Sequence, residues 1–119
     1  MPKVKVSKAT GPVLDWMVAK CEGVATRKLN ADEFVAQQAE GNYRYSTDWA
    51  QAGPILSRER ISRTIDHSGL WIAYWTDGYV EGDEGKKWMQ CDRSELVAGL
   101  RCYAASKLGE EVEVPDELV

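Results

Sequence analysis

Leu70-Trp71-Ile72-Ala73-Tyr74-Trp75-Thr76, followed by Asp77-Gly78, is the stretch on which the fold turns. Aromatic and β-branched side chains dominate it, and these favour the pleated, half-buried surface of a strand. Asp77-Gly78 is two-residue hairpin chemistry, since both positions accept a positive φ. The stretch therefore predicts a strand that turns into an antiparallel partner at Tyr79-Val80-Glu81. Gly82 to Lys87 reads as an exposed loop tip beyond it.

Helices flank this sheet. Downstream, Asp92 and Glu95 form a capping-box pattern ahead of a helix over about 93–108. Its apolar stripe is Leu96, Val97, Leu100, Tyr103, Ala104 and Leu108, and Gly109 supplies the stop. Val112 and Val114 then alternate with acids in a last short strand. Upstream, Lys3 to Val6 alternates as an edge strand, and Thr10 with Pro12 opens a helix over about 12–22 that Gly23 closes. Val24 to Leu29 has weak strand character. Asn30 and Glu33 cap a short helix over 31–40 whose large apolar anchors are Phe34 and Val35, ended by Gly41. Ser46 or Thr47 caps a single turn that Gly53-Pro54 terminates, Pro54 opens a second short helix over 55–59, and Ile61 to Ile65 is a strand. The expected fold is α+β: a small, mostly antiparallel sheet packed against an N-terminal and a C-terminal helix.

Composition narrows the class. The chain has 119 residues, the size of one domain, so a single domain over 1–119 is expected. Hydrophobic residues make up 44% and charged residues 29%, a globular balance that can bury a core without disulfides or metal. A net charge of −4 argues against direct nucleic-acid binding, which draws on a basic excess. The longest apolar run is six residues, Leu70 to Trp75, against about 20 for a membrane span. No apolar segment follows Met1, so no signal peptide is expected. Three scattered cysteines, Cys21, Cys91 and Cys102, suit a reducing cytoplasm.

Candidate site residues come from the aromatics and hydroxyls. Trp71 and Trp75 share one side of a strand with Ala73 between them, a slot able to stack a flat ligand. Core packing is the other reading of such a stripe. Tyr43, Tyr45 and Trp49 add further rings. Ser46-Thr47-Asp48-Trp49 offers hydroxyls and backbone N–H groups at a helix start, suited to phosphate or carboxylate, and equally suited to plain capping. Arg58, Arg60 and Arg63 can meet phosphate oxygens, with Arg101 on the last helix, or form a solvated face.

Catalytic and metal signatures are lacking. His67 is the lone histidine, beside Asp66 and Ser68, and no nucleophile elbow accompanies it. A zinc site lacks close Cys spacing, and the run Asp77 to Trp88 has aromatic residues where a calcium loop needs oxygen ligands. No catalytic residue, metal or cofactor is expected.

Three segments carry a family resemblance. Tyr45-Ser46-Thr47-Asp48-Trp49-Ala50-Gln51-Ala52-Gly53-Pro54-Ile55-Leu56 and Leu100-Arg101-Cys102-Tyr103-Ala104-Ala105-Ser106-Lys107-Leu108-Gly109 resemble the NinX family of tailed-phage and prophage proteins, as does the opening from Val4 to Gly23. Residues 30–41 and 82–90 look like variable parts. The resemblance implies a phage accessory protein made in the cytoplasm of an infected or lysogenic bacterium, and it carries over no catalytic residues.

The reading that follows is a non-enzymatic accessory protein that binds and sequesters a small nucleotide-derived ligand, such as a bacterial immune signal. Trp71, Trp75 or Trp49 would stack the base, with Ser46, Thr47 and Arg58 on phosphate and Tyr43 and Asp48 alongside. The rival is a module that binds a host or phage protein through exposed aromatics. A weaker rival is a small hydrolase using His67. Unpaired sheet edges lead to the expectation of a homodimer or larger homo-oligomer.

Overall fold

Helix α4 (Glu95–Leu108) is the element around which the others gather. Nine of its side chains or backbone positions from Leu96 to Ala105 are buried, on every face of the helix. A helix hydrophobic all round belongs inside a domain, and this one packs on the sheet, on α1 (Gly11–Cys21) and on α3 (Trp49–Arg58). The computed structural model describes residues 2–24, 30–76 and 85–119.

The two terminal helices follow their apolar spacing to within a residue or two of expectation. The caps differ. At α4 the capping oxygen is Ser94 Oγ, which accepts from the Val97 N–H at 3.2 Å. Asp92 instead accepts from the Ser94 N–H at 2.9 Å, so the pair orders the entry two residues later than a box at Asp92 would. Thr10 holds the N-cap position of α1 in an extended conformation and makes no side-chain cap bond. Between them, α2 (Ala31–Ala39) is capped as expected, with Asn30 Oδ1 accepting from the Glu33 N–H at 2.9 Å. Phe34 is fully buried, whereas Val35 is 49% exposed, so α2 is anchored by one ring and not two.

The expected break at Gly53-Pro54 does not occur. Helix α3 runs unbroken through Pro54. An interior proline costs about 3 kcal/mol through its missing N–H and ring clash. Against that stand Ala52, Ile55 and Leu56, at most 3% exposed, whose burial requires one continuous amphipathic helix. Its cap is Asp48, not Ser46 or Thr47: Asp48 Oδ1 accepts from the Ala50 N–H at 2.9 Å.

The strands form two antiparallel sheets where one was expected. β1 (Lys3–Lys5) pairs with β5 (Glu111–Glu113) and joins the chain ends. β2 (Ser62–Ile65), β3 (Trp71–Trp75) and β4 (Lys87–Asp92) form the second, in that order. The fold is α+β as expected: this second sheet lies on α4, and the N-terminal helix packs on α4 over the same core. Lys87 opens β4 and does not belong to a loop tip. The expected strand at 79–81 and its Asp77-Gly78 turn lie outside the described residues, as does most of the Val24–Leu29 segment. The register shifts between Ala73 and Trp75, with Ala73 opposite Gln90 and Trp75 opposite Lys87. Such a bulge re-aims side chains.

Candidate functional site

A run of apolar residues on α1, Val13 to Ala19, is interrupted by one acid. Asp15 is 4% exposed, and a carboxylate placed there must be hydrogen-bonded. Oδ1 accepts from the Ser46 N–H at 2.7 Å and Oδ2 from Gln38 Nε2 at 2.8 Å. The same Gln38 nitrogen donates to the Tyr43 carbonyl at 2.9 Å. Asp15 thus fastens α1 to α2 and to the 42–47 loop. Burial raises its carboxyl above the usual carboxylate range, opposed by the bonds from Ser46 and Gln38.

The loop is built on these anchors. Tyr43 adopts φ +55°, an uncommon conformation for a side-chain-bearing residue. Its ring stacks on Phe34 at 5.8 Å, nearly parallel at 4°. Arg44 Nε donates to the Gln38 carbonyl at 2.5 Å, and the Arg44 N–H donates to Gln51 Oε1 at 3.1 Å. The Thr47 N–H donates to the Arg44 carbonyl at 3.1 Å. Ser46 is left 5% exposed, and its Oγ has no hydrogen-bond partner among the described residues.

These residues line a cleft of about 460 Å³ between the start of α1, the second half of α2, the loop and the C-terminal turn Asp116–Leu118. Pro12, Val35 and Leu118 give it apolar walls, and Asp15, Arg44, Ser46, Thr47 and Glu117 give it polar atoms. The exposure of Val35 is explained by its place in this wall.

The other expected site residues are distributed elsewhere. Asp48 is a helix cap that also accepts from Gln51 Nε2 at 2.8 Å. Trp49 is 47% exposed at the first position of α3 and does not line the cleft. Arg58 grips both oxygens of Glu22, at 2.6 and 3.2 Å, and reaches Glu59 at 2.9 Å. Those bonds hold the Glu22 carboxyl below its ordinary value, helped by the Tyr103 hydroxyl. Trp71 packs against the core. Trp75 tilts against Trp88 at 5.5 Å, beside a smaller pocket of about 200 Å³. The rings expected to stack a base and the hydroxyls expected to meet phosphate therefore do not line one cleft. The backbone N–H groups of Ser46 and Thr47 are engaged, by Asp15 and by the Arg44 carbonyl, so they present no anion cradle.

Three further expectations are resolved by contacts. Arg63 donates to Glu95 at 3.0 Å and to the Ile61 carbonyl at 2.9 Å. Arg101 is buried and internally bonded, so it stands neither on a solvated face nor open to a phosphate. Beside His67, Asp66 Oδ1 accepts from the Ser68 N–H, the Ser68 hydroxyl and the Leu70 N–H, which commits it to the β2–β3 turn. Burial pushes the Cys21 and Cys102 thiols up to about 12, far from a reactive thiolate. Among the described residues no group of three or more His, Cys, Asp or Glu side chains is gathered for a metal, and no helix is long and apolar enough to cross a membrane.

Asp15 and Gln38 were not among the residues singled out from the sequence. The signal at Asp15 was the lone acid inside an apolar helical run; Gln38 carried none. None of the curated proteins compared with the chain matches it. The family model of bacteriophage P22 NinX matches residues 5–107, a range that includes Asp15, Gln38, Arg44, Ser46 and Thr47 but stops short of Glu117. The chain belongs to the bacteriophage P22 NinX family.

Proposed function

We propose that this phage protein is a non-enzymatic accessory factor that binds and sequesters a small nucleotide-derived ligand, with the base in the Asp15–Ser46 cleft. The observation that carries the reading is Ser46 Oγ, buried without a partner in a cleft beside a buried carboxylate. An unsatisfied buried hydroxyl costs about 1–3 kcal/mol, and a ligand that bonds it recovers that cost on binding. The cleft volume of about 460 Å³ falls within the usual range of small-molecule sites. Arg44, whose side chain bonds through Nε to the Gln38 carbonyl, stands at the cleft as the group able to meet a phosphate. Sequestration needs binding and no catalytic machinery, which suits removal of a host signalling nucleotide.

Calorimetric titration and thermal melting with a panel of cyclic dinucleotides and nucleosides test this. Binding should raise the melting temperature in proportion to the logarithm of ligand concentration. Ser46→Ala should leave the melting temperature of the free protein unchanged or higher and weaken the ligand by about 5- to 150-fold. No binding by any member of the panel at millimolar concentration would end the reading.

A protein-binding module is the second reading, favoured by one observation. Trp88 and Met89, on the edge strand β4, are 42% and 40% exposed. Large apolar side chains on an edge that no described strand pairs are what a partner protein covers. The same edge supports a homo-oligomer. Sedimentation should show a species heavier than 13.3 kDa at tens of micromolar protein, and Trp88→Lys should reduce it to the monomer. A single monomeric species for the parent chain would sink the self-association.

A further inference from the structure

We infer that the cleft recognises a planar group presenting two adjacent N–H donors, paired side by side to the Asp15 carboxylate. This deepens the proposed small-ligand function and rests on it. The argument is an inventory of donors and acceptors. The Ser46 N–H and the Gln38 amide nitrogen already bond Asp15, and Gln38 also bonds the Tyr43 carbonyl. The Thr47 hydroxyl leans toward the Arg44 carbonyl at 3.4 Å. Each Asp15 oxygen accepts one well-formed bond, Ser46 Oγ stands beside the carboxylate without a well-formed bond of its own, and Glu117 adds another carboxylate to the lining. The cleft is therefore rich in acceptors, with Arg44 as its one cationic side chain.

A buried carboxylate with no salt-bridge partner among the described residues repels an anion and rewards donors. Two parallel N–H groups match both its oxygens at once, the geometry that makes carboxylate–guanidinium pairs strong. The apolar walls at Pro12 and Leu118 suit a flat group. A guanine edge has this pattern in its ring N–H and exocyclic amine. A guanidinium has it too. Adenine sets an acceptor beside its amine, and hypoxanthine offers one N–H only, so both leave an Asp15 oxygen unmatched.

Calorimetry with guanosine, inosine, adenosine and agmatine on the full chain tests the pairing and separates its two sources. Guanosine, or agmatine if the natural group is a guanidinium, should bind about 10- to 100-fold more tightly than inosine and adenosine. Asp15→Asn presents a single acceptor and should erase that preference. If Asp15→Asn does not fold, the guanosine-to-inosine ratio of the parent chain decides alone. Equal binding of guanosine, inosine and adenosine without agmatine binding would overturn the paired-donor inference and leave a ligand-binding cleft in place. No binding by any of the four overturns the inference, and the cyclic-dinucleotide panel then decides whether the wider reading falls with it.

Discussion

Arg101→Leu should lower the unfolding free energy by about 3–5 kcal/mol, the usual consequence of removing one partner from a buried charged network. Arg101 is 6% exposed in the middle of α4. Its Nε donates to the Ala9 carbonyl at 2.9 Å. One terminal nitrogen donates to the Cys91 carbonyl at 2.8 Å and to Asp92 Oδ1 at 3.1 Å. One guanidinium thus fastens the turn before α1 and the last residues of β4 onto the central helix. Leucine fills much of the space but leaves two carbonyls and a half-buried carboxylate without their donor. Lysine keeps the charge yet has one terminal nitrogen, which cannot serve both sides of the planar fork, so Arg101→Lys should fall between parent and leucine. Urea unfolding at neutral pH measures all three. A leucine variant within about 1 kcal/mol of the parent would show that the network contributes little beyond shape.

Arg101 also marks where sequence reading reached its limit. Its spacing placed it on the last helix, but nothing local told an internal tie from a phosphate contact, because its partners Ala9, Cys91 and Asp92 lie on other elements. The elements that were legible are those whose information is local. α1, α2 and α4 announce themselves by apolar spacing, an N-terminal polar residue and a closing glycine. β3 does so by its aromatic and β-branched run. β4 was not legible, since Lys87-Trp88-Met89-Gln90-Cys91-Asp92 lies at an edge, largely exposed, and has no apolar alternation. α3 was misread because local proline chemistry argues for a break, while burial of Ile55 and Leu56 overrides it.

The site divides in the same way. Ser46 and Thr47 drew notice as a helix cap and lie in the cleft for a different reason: the backbone of Ser46 is held by an acid 31 residues earlier. Trp71 and Trp75 share a strand face, but only the first packs on the core, and the bulge beyond Ala73 sets the second beside Trp88. Convergence of distant segments is a tertiary fact, and composition or spacing carries no record of it.

Phe34→Ala should cost about 3–5 kcal/mol and remove the cleft along with the stability. Phe34 is the only large apolar residue that α2 buries, at 0% exposure. Its ring meets Trp16 edge-on at 5.3 Å and 86°, and lies flat on Tyr43. Aromatic contacts of these geometries add about 0.5–1.5 kcal/mol each to the burial itself. Alanine would leave a void between α1, α2 and the 42–47 loop, beside the Trp16 and Tyr43 rings. The consequence for function follows from position. α2 carries Gln38, which bonds Asp15, and Val35, which walls the cleft, so loosening α2 frees the carboxylate and opens the wall. Chemical denaturation should show the loss, and hydrogen exchange should show α2 amides exposed ahead of those in α4. Phe34→Leu keeps most of the volume and should cost less. Should Phe34→Ala unfold within about 1 kcal/mol of the parent, α2 would be a loosely attached flap, and a cleft that depends on it could not hold a ligand in fixed geometry.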